Sequence, residues 1–124
     1  MKKITILIVF VLISSLTFAQ EVKSVILNAT NYEEQVVGKD LQLIDLRTPK
    51  EYKAGFIDDA INIDYYDQGN FKKSFEKLDK NKPLYIYCRS GNRSQKSVPL
   101  LLNFGFTEIY DLKGGYNAWV LHKK

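Results

Sequence analysis

Cys88 is the one thiol in a chain of 124 residues, and it heads the run Cys88-Arg89-Ser90-Gly91-Asn92-Arg93-Ser94. A cysteine acts as a nucleophile in its thiolate form. Here it is followed by two arginines, two serines and a glycine, a set suited to a turn that binds an anion. The run follows the apolar, strand-like Pro83-Leu84-Tyr85-Ile86-Tyr87 and precedes a helical pattern from Ser97-Val98 to Phe104. At a strand-to-helix turn, free backbone N–H groups converge and the positive end of the helix dipole points at the turn. That setting favours the thiolate.

The remaining residues narrow the chemistry. The single histidine is His122, close to the C-terminus, so a cysteine–histidine pair of the protease kind is not expected. Activation of Cys88 then falls to the helix dipole, the turn amides and the charge of Arg89 or Arg93. Such a site suits transfer of sulfur from an anionic donor whose leaving group needs no strong acid. It suits amide hydrolysis poorly. Phosphatase and arsenate reductase chemistry resembles a pattern of cysteine, five residues, arginine. Here only Arg89 to Asn92 lie between Cys88 and Arg93, and Ser94 occupies that arginine's place. One cysteine and one histidine make no metal-ligand cluster, so neither metal nor cofactor is expected.

Each loop residue also has a plainer reading. A lone cysteine is sometimes an inert core residue, but such a residue needs no glycine or paired arginines beside it. Arg89 points either at solvent or at substrate. Arg93 is expected to hold the loop through a carboxylate. Ser90 and Ser94 either donate to sulfur or cap the helix. Gly91 supplies a positive φ or a close backbone approach, and Asn92 also tolerates the left-handed region. Arg47 and Glu51, four apart, read as a structural ion pair. Tyr65-Tyr66 reads as surface packing in a loop that could approach the pocket.

The elements that must position the loop alternate between short apolar strands and amphipathic helices. Strands are expected at Val25–Leu27, Leu41–Leu46, Ala60–Ile63, Leu84–Tyr87 and Ile109–Leu112. Helices are expected over Thr30–Val37, with Thr30 and Glu33 as a capping box and Gly38 as the stop, and over Thr48–Ala54, capped by Thr48. Further helices are expected over Asn70–Leu78, Arg93–Phe104 and Tyr116–Leu121, with Pro99 set to kink or loosen the fourth. The pattern predicts an α/β domain with a mainly parallel central sheet of about five strands flanked by helices on both faces. Sites in such sheets lie at the carboxyl ends of the strands, where Cys88 falls.

The first residues form a separate unit. Lys2 and Lys3 precede the apolar run Ile6–Ile13, extended by Leu16, and Thr17-Phe18-Ala19 ends in small residues. This reads as a secretory signal peptide over residues 1–19, with the domain over 20–124. The run is short for a span of about 20 residues, and no cysteine follows it to take a lipid. Export to the periplasm, or secretion, is expected, with no membrane association after cleavage. The formal net charge of +4 falls to +2 without the leader, 16 basic residues against 14 acidic. That removes the main support for a nucleic-acid partner.

Three motifs together resemble the single-domain rhodanese-like (sulfurtransferase) family, over about Asn28 to Val120. The first is Asp45-Leu46-Arg47-Thr48-Pro49-Lys50-Glu51-Tyr52, continued by Gly55-Phe56-Ile57 and Ala60-Ile61-Asn62-Ile63. The second is the Cys88–Ser94 run, which looks like the active-site loop. The third is Leu112-Lys113-Gly114-Gly115 with Trp119. The resemblance implies a sulfurtransferase in which Cys88 takes a sulfane sulfur as a persulfide and passes it to a thiophilic acceptor. It implies a pocket lined by Arg89, Ser90, Gly91, Asn92, Arg93 and Ser94, with Asp45 and Arg47 supporting the loop. By analogy Asp45 is the candidate partner of Arg93. Partners would be a small anionic donor such as thiosulfate and a nucleophilic acceptor, with a protein acceptor as an option, and the chain would act as a monomer. A module that carries a persulfide without turnover, or binds an anion or partner, is the alternative. Phe56 stands where the family usually has histidine, which bears on local packing.

Overall fold

Every strand of the sheet runs in the same direction, so each connection must cross over a face, and amphipathic helices supply the crossovers. The computed structural model describes residues 21–124 together with Lys2. The expected leader, 1–19, lies outside the described residues apart from Lys2. In chain order the elements are β1 (Lys23–Leu27), α1 (Ala29–Val36), β2 (Gln42–Asp45), α2 (Pro49–Lys53), β3 (Ile61–Asn62), α3 (Gln68–Glu76), β4 (Leu84–Tyr87), α4 (Asn92–Asn103), β5 (Glu108–Leu112) and α5 (Gly115–His122). They form one five-stranded parallel sheet in the order β1-β5-β4-β2-β3. No helix among the described residues is long and apolar enough to cross a membrane.

Alternate side chains of each strand point to opposite faces, and the core divides accordingly. On one face Ile44, Ile86 and Ile109 pack with Phe71 and Phe75 of α3 and Leu101 of α4. On the other, Leu43, Tyr85, Tyr87, Tyr110 and Leu112 pack with Tyr32 and Val36 of α1 and Trp119 of α5. β4 is central and buried at all four positions, so the residue that follows it, Cys88, leaves the middle of the sheet at its carboxyl edge.

Most helix signals hold, with instructive shifts. Thr48 and Glu51 form the capping box that starts α2, with Pro49 in the first turn. For α1 the cap is Asn28, whose side chain accepts from the Asn31 N–H at 2.9 Å; the expected Thr30 box does not form because Thr30 already lies inside the first turn. Asn92 takes the first helical position of α4, while Gly91 before it has φ +102°. α4 runs without a break through Pro99. Proline removes an N–H from the helix ladder, and the carbonyl deprived of its donor belongs to Gln95. Both Pro99 and Gln95 are exposed, so water can satisfy that oxygen. Ser97 adds a bond of its own, its Oγ donating to the Arg93 carbonyl at 2.8 Å.

Because the proline ring is exposed, Pro99→Ala should restore the missing bond without disturbing the core. It should raise stability by about 1–3 kcal/mol, the helix gain being partly offset by greater freedom of the unfolded chain. The urea midpoint of the two proteins measures this.

Candidate active site

The turn after β4 wraps backbone around a sulfur. Cys88 is 1% exposed. Its Sγ accepts from the N–H of Gly91 at 3.1 Å and from the N–H of Ser94 at 3.4 Å, while its thiol donates to Ser94 Oγ at 3.4 Å. The left-handed φ of Gly91 folds the chain back so that these amides face inward. Ser94 is fully buried, whereas Arg89, Ser90 and Asn92 lie exposed along the outside of the turn. Of the two serines, Ser94 is therefore the one that reaches sulfur.

The turn is held from behind by the start of α5. The N–H of Tyr116 donates to the Cys88 carbonyl at 2.8 Å, and that of Asn117 to the Arg89 carbonyl at 3.0 Å. With both carbonyls drawn toward α5, the amides of the loop are left to face the thiol. Gly115 makes this approach feasible. It has φ +58°, and a Cβ placed there would lie 2.5 Å from the Cys88 carbonyl oxygen and 2.6 Å from the Arg89 carbonyl carbon. The sequence marks Gly114-Gly115 as a turn but gives no sign that it grips the loop.

The arginines exchange the partners assigned to them. Arg93 does not reach Asp45. It makes a two-point pair with Glu51 of α2, Nη1 to Oε1 at 2.8 Å and Nη2 to Oε2 at 3.0 Å. Tyr66 stacks near it, its ring 5.3 Å from the guanidinium, so that tyrosine adjoins the loop, while Tyr65 packs edge-on against Phe71 in the core. Arg47 does not pair with Glu51. Its Nη2 meets Asp45 Oδ2 at 2.7 Å, in a fully buried contact. The reason is local: residues two apart in extended chain share a face, so Arg47 folds back on Asp45 at the end of β2. Glu51 is thereby left for the long arm of Arg93. Arg89 alone of the loop cations is exposed and free of any carboxylate partner among the described residues.

Titration follows these contacts. The Arg93 guanidinium holds Glu51 at about 2, well below its ordinary value of 4.5. Burial opposes the charge of Arg47, but the bonds to Asp45 outweigh it and keep the guanidinium firmly protonated. Burial, then the neighbouring Asp45 charge, raises Tyr87 well above its usual value. Behind the loop lies a residue the strand pattern conceals, Asp111 of β5. It is 2% exposed, and its Oδ2 accepts from Ser94 Oγ at 2.9 Å and from Gln95 Nε2 at 2.5 Å. Phe56 is half-exposed and stacks on Tyr52 with ring centroids 4.3 Å apart, a local packing role.

Comparison with known proteins agrees with this architecture. A family model described as "Rhodanese-like domain" matches residues 28–122. The chain is 32% identical to the uncharacterized protein YqhL of Bacillus subtilis, covering 96% of this chain and 94% of that one. It is 33% identical to the thiosulfate sulfurtransferase GlpE of Coxiella burnetii, over 72% of this chain and 80% of the relative. Among solved structures, a rhodanese-related protein from Thermoplasma volcanium superposes with a TM-score of 0.66 at 28% identity, covering 77% of this chain and 90% of that one.

Two expectations follow. Gly115→Ala would drive a Cβ into loop backbone that has no room to yield, so it should destabilise the fold and lower any Cys88-dependent rate by about 10–100-fold; a variant with full activity would contradict the grip of α5 on the loop. The Arg93–Glu51 clamp should be acid-labile. Glu51 binds protons more weakly folded than unfolded, so its contribution is complete above pH 4.5 and disappears as pH falls toward 2. The stability difference between the protein and Glu51→Gln should therefore shrink between about pH 5 and pH 2.5 in urea titrations.

Proposed function

The chain belongs to the rhodanese-like domain family of sulfurtransferases, and from that premise we propose that it transfers a sulfane sulfur by way of a persulfide on Cys88. The observation that carries this is the cradle itself: a buried sulfur with two loop amides directed at it. Such donors stabilise negative charge on Sγ and, after the first transfer, on the persulfide. The Cys88 thiolate attacks the outer sulfur of a donor such as thiosulfate. A new S–S bond forms, the donor's S–S bond breaks, and sulfite leaves with the electron pair. A thiophilic acceptor then takes the terminal sulfur and regenerates the thiolate. Neither half needs a proton donor for its leaving group.

In this reading Arg89, exposed and next in sequence to the nucleophile, meets the anionic end of the donor. Arg93 contributes by fixing the first turn of α4, since Glu51 occupies its guanidinium. That engagement also argues against phosphatase chemistry, which needs a free arginine to clamp phosphate oxygens. Residues 1–19 serve, in this reading, as a signal peptide that sends the domain to the periplasm or the exterior, where a monomer works on small sulfur species or a protein acceptor.

The purified protein should form thiocyanate from thiosulfate and cyanide, and Cys88→Ser should abolish it. A folded, reduced protein that gives no thiocyanate would overturn the thiosulfate reading. If it nevertheless retained a persulfide on Cys88, a carrier serving a protein acceptor would replace it.

A further inference from the structure

Asp111 is an odd residue to bury. One carboxylate oxygen, Oδ2, takes bonds from Ser94 and Gln95; the other, Oδ1, is enclosed with no hydrogen-bond partner among the described residues. Among the described residues no cation pairs with it. An enclosed carboxylate with a bare oxygen is costly as an anion and inexpensive as an acid. Ser94 links it to the thiol: Cys88 Sγ to Ser94 Oγ is 3.4 Å, and Ser94 Oγ to Asp111 Oδ2 is 2.9 Å. The Gly91 carbonyl, 3.2 Å from Ser94 Oγ, is the longer alternative for the hydroxyl proton; through the shorter bond the three groups form a continuous chain, S–H to O–H to carboxylate.

We propose that Asp111 is a positioning residue that shares one proton with Cys88 through the hydroxyl of Ser94, and so acts as the internal base of the nucleophile. In the step, the S–H bond of Cys88 breaks as its proton bonds to Ser94 Oγ. The original hydroxyl proton of Ser94 passes to Asp111 Oδ2. One negative charge moves from carboxylate to sulfur, and no electron is exchanged with another molecule. Ser94 turns from acceptor to donor, so Sγ gains a third donor beside the amides of Gly91 and Ser94.

One charged side chain acts on the pair: Arg93 of α4, engaged by Glu51, is near enough to Cys88 for each charge to favour the other. Toward Asp111 itself, α4 presents Ser94 and Gln95, both neutral, and the strand positions beside it are Ile26 of β1 and Ile86 of β4. From α1, Tyr32 is the titratable neighbour; its hydroxyl donates to the Ile86 carbonyl, and burial keeps it protonated. Burial raises Asp111 to about 6, against the pull of Gln95, Ser94 and the backbone N–H of Leu112. Two groups joined in this way lose their protons in steps that belong to the pair.

The inference rests on Cys88 being the nucleophile, but its test does not require sulfur transfer. Because the chain has one cysteine, its alkylation by iodoacetamide reports Cys88 alone. The rate should rise with pH in two steps, the lower near 6, the value to which burial raises Asp111. Asp111→Asn and Ser94→Ala should each reduce this to a single step. In case either variant folds poorly, the unaltered protein supplies a second readout. The carboxyl carbon of Asp111, followed by NMR, should titrate in two steps with the thiol free and in one step once Cys88 is alkylated. A single-step alkylation profile matching that of Asp111→Asn, or a carboxyl titration indifferent to alkylation, would overturn the shared proton. Either result could occur with thiocyanate formation intact, so failure of the relay and failure of the sulfurtransferase reading are distinguishable.

Discussion

A guanidinium sealed inside the protein joins the parts that converge at the carboxyl edge of the sheet. Arg47 is held by Asp45 at the end of β2, donates to the Gly55 carbonyl where α2 ends, and lies 4.0 Å from the ring of Tyr116 in α5. Tyr87, the last residue of β4, donates its hydroxyl to the same Asp45 and accepts from the N–H of Ile57. One buried ion pair therefore touches β2, the loop beyond α2, β4 and α5. A buried charge is tolerated only where its partners are complete, and losing one partner costs several kcal/mol. That constraint locks the strand that delivers Cys88 to the helix that grips its loop.

The thiol site is assembled by redirecting backbone rather than by adding side chains. α5 captures the carbonyls of Cys88 and Arg89, Gly91 reverses the chain, and the amides of Gly91 and Ser94 are left directed at sulfur. The two loop arginines then divide the work. Arg93 is committed to Glu51, which also completes the capping box of α2, so the first turns of α2 and α4 are tied through a single carboxylate. Arg89 remains outside. The anchored half of the loop sets geometry, and the open half meets solvent.

Much of this was legible in the residues. β4 falls at Leu84–Tyr87 as its apolar run indicates, Thr48 caps α2 as its box indicates, and the loop from Cys88 lies at the carboxyl edge as an α/β alternation requires. These are local signals. Pairings across the fold were not legible. Arg93 and Glu51 come from different helices, and no spacing joins them; the wrong partner, Asp45, was already satisfied by Arg47 two residues on. Asp111 was hidden for a related reason. Within Ile109–Leu112 it reads as one polar position in an apolar strand, and its role appears only when α4 brings Ser94 over it. Gly115 likewise reads as a turn until Cys88 and Arg89 are seen against it.

The order β1-β5-β4-β2-β3 places the first strand of the domain beside the last, with Lys23 opposite Glu108 and Leu27 opposite Leu112. Contacts between residues so far apart in sequence are slow to close. Among the described residues β1 pairs with β5 alone, so a chain emerging from the ribosome carries an unpaired strand edge until β5 has been made. The nucleophile's loop is in turn fastened only once α5, which follows β5 in the chain, has been made and docks on it.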